Sequence, residues 1–134
     1  MPRFKLLAHP SDIGIVAYGS TKKEIFENAA YGMFSIMADL KKVKALESLE
    51  IKIAGDDWES LMVNWLNELV YYVDAKKMLF VKFRINKINA TQLEAAVSGE
   101  KIDLGRHSIS RPIKAATYNQ LQIRPKQAKI VFDV

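Results

Sequence analysis

The sequence contains no cysteine, which excludes disulfide frameworks, thiolate zinc sites and thiol nucleophiles. Histidine is nearly absent as well: His9 and His107 are the only two, too few for a histidine-rich metal centre. No phosphate-cradling G-x-x-x-x-G-K-[ST] loop, G-x-G-x-x-G turn, G-x-S-x-G elbow or H-E-x-x-H helix occurs, so the familiar catalytic patterns find no match. No strand carries the paired aromatics of an RNA-recognition motif. Long apolar runs are also missing. The opening MPRFKLLAHP has only a short one before His9 and Pro10, which reads as neither a signal peptide nor a membrane span. A cytoplasmic protein is expected.

What is present is enough for one domain spanning residues 1–134. With 49% hydrophobic and 26% charged residues in 134, such a chain can withdraw roughly two-thirds of its unfolded surface from water without staples. Twenty Lys and Arg against fifteen Asp and Glu leave a formal charge of +5, which favours anionic partners. Basic pairs such as Lys22-Lys23 and Lys41-Lys42 fall at expected loops and helix ends, where ordinary solubilising charge is the plainer reading.

Phe4–Ala8 and Ile13–Tyr18 read as strands around the turn His9-Pro10-Ser11-Asp12. Thr21 and Glu24 have capping-box spacing. Ile25, Phe26, Ala29, Ala30, Met33, Phe34 and Met37 then form an apolar stripe that predicts a helix ending near Asp39 or Leu40. Leu49, Ile51 and Ile53 alternate with Glu50 and Lys52 as a half-buried strand. Asp56-Asp57 opens a second helix, with Leu61, Met62, Trp65, Leu66, Leu69, Val70 and Val73 on its buried face and Glu68 on its surface. Strands are predicted over Met78–Ile88, Gln92–Val97, Ile113–Ile123 and Ala128–Val134, with an irregular loop over Gly99–Pro112. The expected fold is α+β, a largely antiparallel or mixed sheet packed against two amphipathic helices.

Chemistry, if any, falls to carboxylates. Asp12 sits in the first turn, where bonding its own backbone is the bland role. Asp133 alternates with Lys129 and Val131 on the last strand, and the α-carboxylate of Val134 would lie beside it. Two adjacent anions with a third carboxylate nearby suit a hard cation such as calcium or magnesium; solvated, purely structural aspartates are the alternative. Spacing alone brings nothing from the first turn to the last strand.

Several segments together resemble the archease family across nearly the whole chain. His9-Pro10-Ser11-Asp12-Ile13-Gly14 with Ala17-Tyr18-Gly19 is similar to its H-[TS]-A-D-[IV]-G…A-x-G opening. Ala29-Ala30, Met33-Phe34 and Asp39 follow A-A-x-x-M-F…D, and Trp65-Leu66-Asn67-Glu68-Leu69 looks like W-L-[ND]-E-L. Gly99-Glu100, Asp103 and Arg106-His107 match the G-E…D…H loop, Lys114-Ala115 with Thr117-Tyr118 resembles K-A-x-T-Y-H, and Phe132-Asp133-Val134 matches the terminal hydrophobic-D-[IV]. Pro10, Ser11 and Asn119 depart from the pattern, Asn119 standing where histidine often follows Thr-Tyr.

The resemblance implies an accessory protein rather than an enzyme, one that helps an RtcB-type RNA ligase of tRNA splicing attach guanylate from GTP to its active-site histidine and turn over repeatedly. It implies a divalent cation, calcium first with magnesium or manganese as alternatives, held by Asp12, Asp133 and the terminal carboxylate of Val134. Asp39, His107 and Lys114 become candidate partner contacts or outer-shell residues. Each has a plain counterpart: a helix-end turn for Asp39, a loop-closing hydrogen bond for His107, an exposed strand position for Lys114. Two other functions compete. One is direct RNA binding through Lys82/Arg84/Lys87 and Lys126/Lys129; the other is a metal-assisted phosphoester hydrolase. No membrane association is expected.

Overall fold

A computed structural model of the protein describes residues 2–8 and 12–134; of the expected turn His9-Pro10-Ser11-Asp12, the first three residues lie outside the described residues. Ten elements follow one another: β1 (Phe4–Ala8), β2 (Ile13–Tyr18), α1 (Lys22–Met37), β3 (Glu47–Ala54), α2 (Trp58–Lys76), β4 (Met78–Ile88), β5 (Gln92–Lys101), β6 (Ala115–Ala116), β7 (Gln122–Ile123) and β8 (Gln127–Asp133), with a 3₁₀ turn at Leu40–Lys42. The fold is α+β and every strand pair is antiparallel. The strands divide between two sheets rather than forming one. The first has the order β1-β2-β8-β6 with β7 also on β8, and the second has the order β3-β5-β4.

The helices begin where the polar caps dictate. Thr21 Oγ1 accepts from the Glu24 N–H at 3.2 Å. Asp57 and Ser60 form a reciprocal box: Asp57 Oδ1 accepts from the Ser60 N–H at 2.8 Å, and Ser60 Oγ accepts from the Asp57 N–H at 3.1 Å. All seven apolar-stripe residues of α1 are buried, as are Leu61, Met62, Trp65, Leu66, Leu69 and Val70 of α2. Each large side chain so removed from water contributes about 1.5–3 kcal/mol. The indole N–H of Trp65 donates to the Phe26 carbonyl at 3.0 Å, which satisfies the one polar atom of a fully buried side chain and ties α2 to α1.

Both helices touch both sheets, α1 against β1, β2, β8 and β4, and α2 against β3, β4, β5, β6 and β7. One continuous core therefore runs between them. Among the described residues no helix is long and apolar enough to cross a membrane.

Three boundaries differ from expectation. Helix α1 stops at Met37 because Ala38 turns extended and bridges Ile109, while Asp39 caps the 3₁₀ turn by accepting from the Lys41 N–H at 3.1 Å. Strand β5 continues to Lys101 instead of yielding to a loop at Gly99. There a Cβ on Gly99 would collide with the Leu79 carbonyl oxygen, so glycine is what lets β4 and β5 stay paired. The predicted strand over Ile113–Ile123 is cut into β6 and β7, because the chain turns at Tyr118–Leu121 with Gln120 left-handed at φ 55°.

Candidate metal centre

The register of β2 on β8 brings the two ends of the chain together. Ile13 pairs with Phe132 and Gly14 with Val131, so Asp12 lies one step beyond the last pair, opposite Asp133. Their side chains leave the face opposite to Ile13 and Phe132, since neighbouring strand residues alternate. A Cβ on Gly14 would strike the Ile130 carbonyl oxygen, so this glycine permits the close approach beside the aspartates. On the other side of β8, Ala115 pairs with Asp133, and the Lys114 N–H donates to the Asp133 carbonyl at 2.8 Å. The result is a shallow cleft of about 240 Å³ lined by Asp12, Thr117, Asn119, Val131, Phe132, Asp133 and Val134.

The groups that could ligate a cation there are oxygens: the Asp12 and Asp133 carboxylates, the Thr117 hydroxyl and the Asn119 amide oxygen. Such a set fits calcium or magnesium rather than a nitrogen- or sulfur-seeking metal. The two aspartates do not make a centre by themselves. Among the described residues no group of three or more His, Asp or Glu side chains is placed to hold a metal ion, so the fit depends on the neutral oxygens that line the cleft beside the two aspartates. Neither Asp12 nor Asp133 has a basic partner within 4.0 Å among the described residues.

The other candidates lie elsewhere. Asp39 is occupied by its cap to Lys41 and does not line the cleft. Lys114 is exposed and joins the site only through its backbone. His107 is 3% exposed and closes a loop: Nδ1 accepts from the Asp103 N–H at 2.9 Å. The ring proton therefore sits on Nε2, which contacts Glu100 Oε2 and the Lys42 carbonyl, each at 3.1 Å. Glu100 is the centre of this network. Arg106 grips it with both nitrogens, Nη2 to Oε1 at 2.6 Å and Nη1 to Oε2 at 2.9 Å, and the Lys44 N–H donates to Oε2 at 2.6 Å. The bond from Arg106, followed by that from Lys44, holds the Glu100 carboxyl far below the usual carboxylate range, while the bond to Glu100 raises Arg106. The G-E…D…R-H segment thus anchors the loop to the chain just before β3.

Residues 4–134 match the model of the Archease protein family (MTH1598/TM1083). The chain belongs to the archease family. It is 42% identical to Protein archease of Sulfurisphaera tokodaii over 128 residues, covering 94% of this chain and 91% of that one. It is 37% identical to Protein archease of Methanosarcina acetivorans over 140 residues, covering 98% and 96%. The solution structure of Methanobacterium thermoautotrophicum protein 1598 superposes with a TM-score of 0.82 at 29% identity, with both chains covered fully.

Three residues of the site region escape a reading by residue type alone. Asn67 Oδ1 accepts from the Ala116 N–H at 2.7 Å and its amide donates to the Ala116 carbonyl at 3.2 Å, so α2 completes the open edge of β6 where β6 braces the end of β8. Thr117 Oγ1 donates to the Val131 carbonyl at 2.8 Å and accepts from the Asn119 N–H at 3.3 Å, which sets both residues on the cleft. The available signal was Asn67 within Trp-Leu-Asn-Glu-Leu, a polar residue beside the buried stripe of a helix.

Proposed function

We propose that this protein activates an RtcB-type RNA ligase of tRNA splicing, promoting transfer of guanylate from GTP to the ligase and hence multiple turnover, without being an enzyme itself. Membership of the archease family over residues 4–134 carries the reading. The cleft supports its site, because it gathers Asp12, Asp133 and Val134 with no basic side chain to neutralise them among the described residues. In this reading Asp12, Asp133 and the Val134 main-chain carboxylate hold a divalent cation, calcium first and magnesium or manganese next, in a cytoplasmic protein. A bound cation would supply positive charge near the ligase's nucleotide. Thr117 and Asn119 orient the cleft wall, and the Lys114 N–H bond fixes the main chain of Asp133.

The test is a multiple-turnover ligation assay with an RtcB-type ligase from the same source, GTP and a divalent cation. Stimulation by the native chain and its loss with Asp133→Asn is the expected result. No stimulation by the folded native chain overturns the proposal.

Direct RNA binding draws less support. Lys82 and Arg84 are exposed on β4, but their sheet also presents Glu50 and Glu94. Lys126 and Lys129 belong to the other sheet's region, bonded to the Ser20 carbonyl and to Gln120. A metal-assisted hydrolase would use the same cleft and would show turnover with no partner protein present.

A further inference from the structure

The second sheet has two outer strands, and they are finished differently. At β4 the Ile85 N–H donates to Glu27 of α1 at 2.8 Å. The β4 register on β5 skips at Val81 and Asn86, and bulges of this kind bend an edge away from further pairing. Its exposed side chains Lys82, Arg84 and Lys87 share one sign, so a second β4 would be repelled. Between Ser48 and Lys52, strand β3 has neither a register skip nor a capping side chain on its outer edge. It pairs with β5 residue for residue over eight positions, from Glu47 opposite Gly99 to Ala54 opposite Gln92. The Gly55 N–H continues the ladder to the Thr91 carbonyl at 3.0 Å in the same register. Odd-numbered residues therefore spend their main-chain groups on β5, and those of Ser48, Glu50 and Lys52 point outward. Apart from the β5 ladder, no hydrogen bond reaches those three main chains among the described residues. The open stretch ends at Ala54, whose carbonyl accepts from Asn64 at 2.9 Å.

We propose that this edge is a docking surface for a second copy of the chain, β3 against β3, antiparallel about Ile51. Charge complementarity selects the occupant. A twofold axis at Ile51 sets each Glu50 beside the other copy's Lys52 on the solvent face. On the opposite face it sets Ile51 against Ile51 and Leu49 against Ile53. Ile51 is already buried and Leu49 and Ile53 are half-buried against the core, so the dimer would extend that core across the joint. The outward N–H and C=O groups of Glu50 in one copy pair with those of Lys52 in the other. Sliding the axis to residue 50 or 52 puts Glu against Glu or Lys against Lys, and sliding it by half a step turns apolar residues to solvent. The Glu50-Ile51-Lys52 alternation thus specifies both partner and register, as an isologous contact requires. The proposal involves neither the cation nor a ligase.

Sedimentation equilibrium over a wide range of protein concentration tests it on the full chain, with circular dichroism as a control for folding. The native chain is expected to show a reversible monomer–dimer equilibrium. Glu50→Lys and Lys52→Glu, each alone, should weaken dimerisation at least roughly tenfold, since each turns two attractive pairs into repulsive ones. An equimolar mixture of the two variants restores opposite charges across the joint and should recover the dimer. A native chain that stays monomeric throughout, a dimer indifferent to both substitutions, or a mixture that fails to recover would each overturn the proposal.

Discussion

Two groups of acidic side chains sit in different sheets of this molecule. In the second sheet Glu100, 4% exposed, is met by the Arg106 guanidinium, the His107 ring and the Lys44 N–H. In the first, Asp12 and Asp133 share an open cleft and no basic side chain approaches either within 4.0 Å among the described residues. A carboxylate compensated from within works for the fold, since ordering a long loop needs charge-assisted bonds that outweigh its entropy. Carboxylates left uncompensated gain nothing from within the fold and stay open to a positive charge from outside. The difference separates an anchoring cluster from a candidate site even though both were equally visible as acidic residues.

Removing each cluster in cation-free protein gives the largest contrast. Glu100→Ala strands Arg106 and His107 and should cause the greatest fall in melting temperature of any change in either cluster, read by thermal unfolding. Asp133→Asn under the same conditions should leave the melting temperature unchanged or slightly raised. Equal losses in the two variants would erase the distinction.

Acid sharpens it next. The folded Glu100 carboxyl titrates well below its ordinary value of 4.5, so the unfolded chain takes up this proton first as pH falls. The stabilisation is complete above about 4.5 and disappears progressively through more acidic solution. Native chain and Glu100→Gln should therefore differ most near neutrality and converge below that value. A gap that widens on acidification would contradict the assignment.

A smaller effect is expected where the fold supports the cleft. Asn67→Ala leaves the N–H and carbonyl of Ala116 without their partner and should cost about 1–3 kcal/mol by denaturant unfolding, together with weaker cation binding. Smallest of all is Arg84→Ala on the exposed face of β4, expected within about 0.5 kcal/mol of the native stability. RNA affinity that drops in Arg84→Ala and falls steeply with salt would instead favour the RNA-binding reading.

Much of this architecture could be read from residue order. The apolar stripes of α1 and α2, the Asp57 cap and the strands β1, β2 and β4 all express local periodicity and end where local signals change. What could not be read depends on distant partners. Strand β5 runs on through Gly99 and Glu100 because Leu79 leaves room for no side chain and because Arg106 and Lys44 receive the carboxylate. The break between β6 and β7 depends on one left-handed residue, Gln120, whose type does not announce it. The juxtaposition of Asp12 with Asp133 came from family resemblance, since turn and strand composition carry no information about register; the β2–β8 pairing supplies the physical cause. Asn67 was visible only as part of a helix, because its role is to an edge strand 49 residues away.

The most direct test of the central contrast is a calorimetric titration of calcium into the native chain ending at Val134, with Asp12→Asn, Asp133→Asn and a folded surface control, Arg84→Ala, in parallel. The native chain and the control are expected to bind, with affinity reduced at least roughly tenfold in either aspartate variant, since loss of even an outer-shell partner typically costs that much. Equal affinity in all four proteins, or no binding by any, would overturn the assignment of a cation site to Asp12 and Asp133.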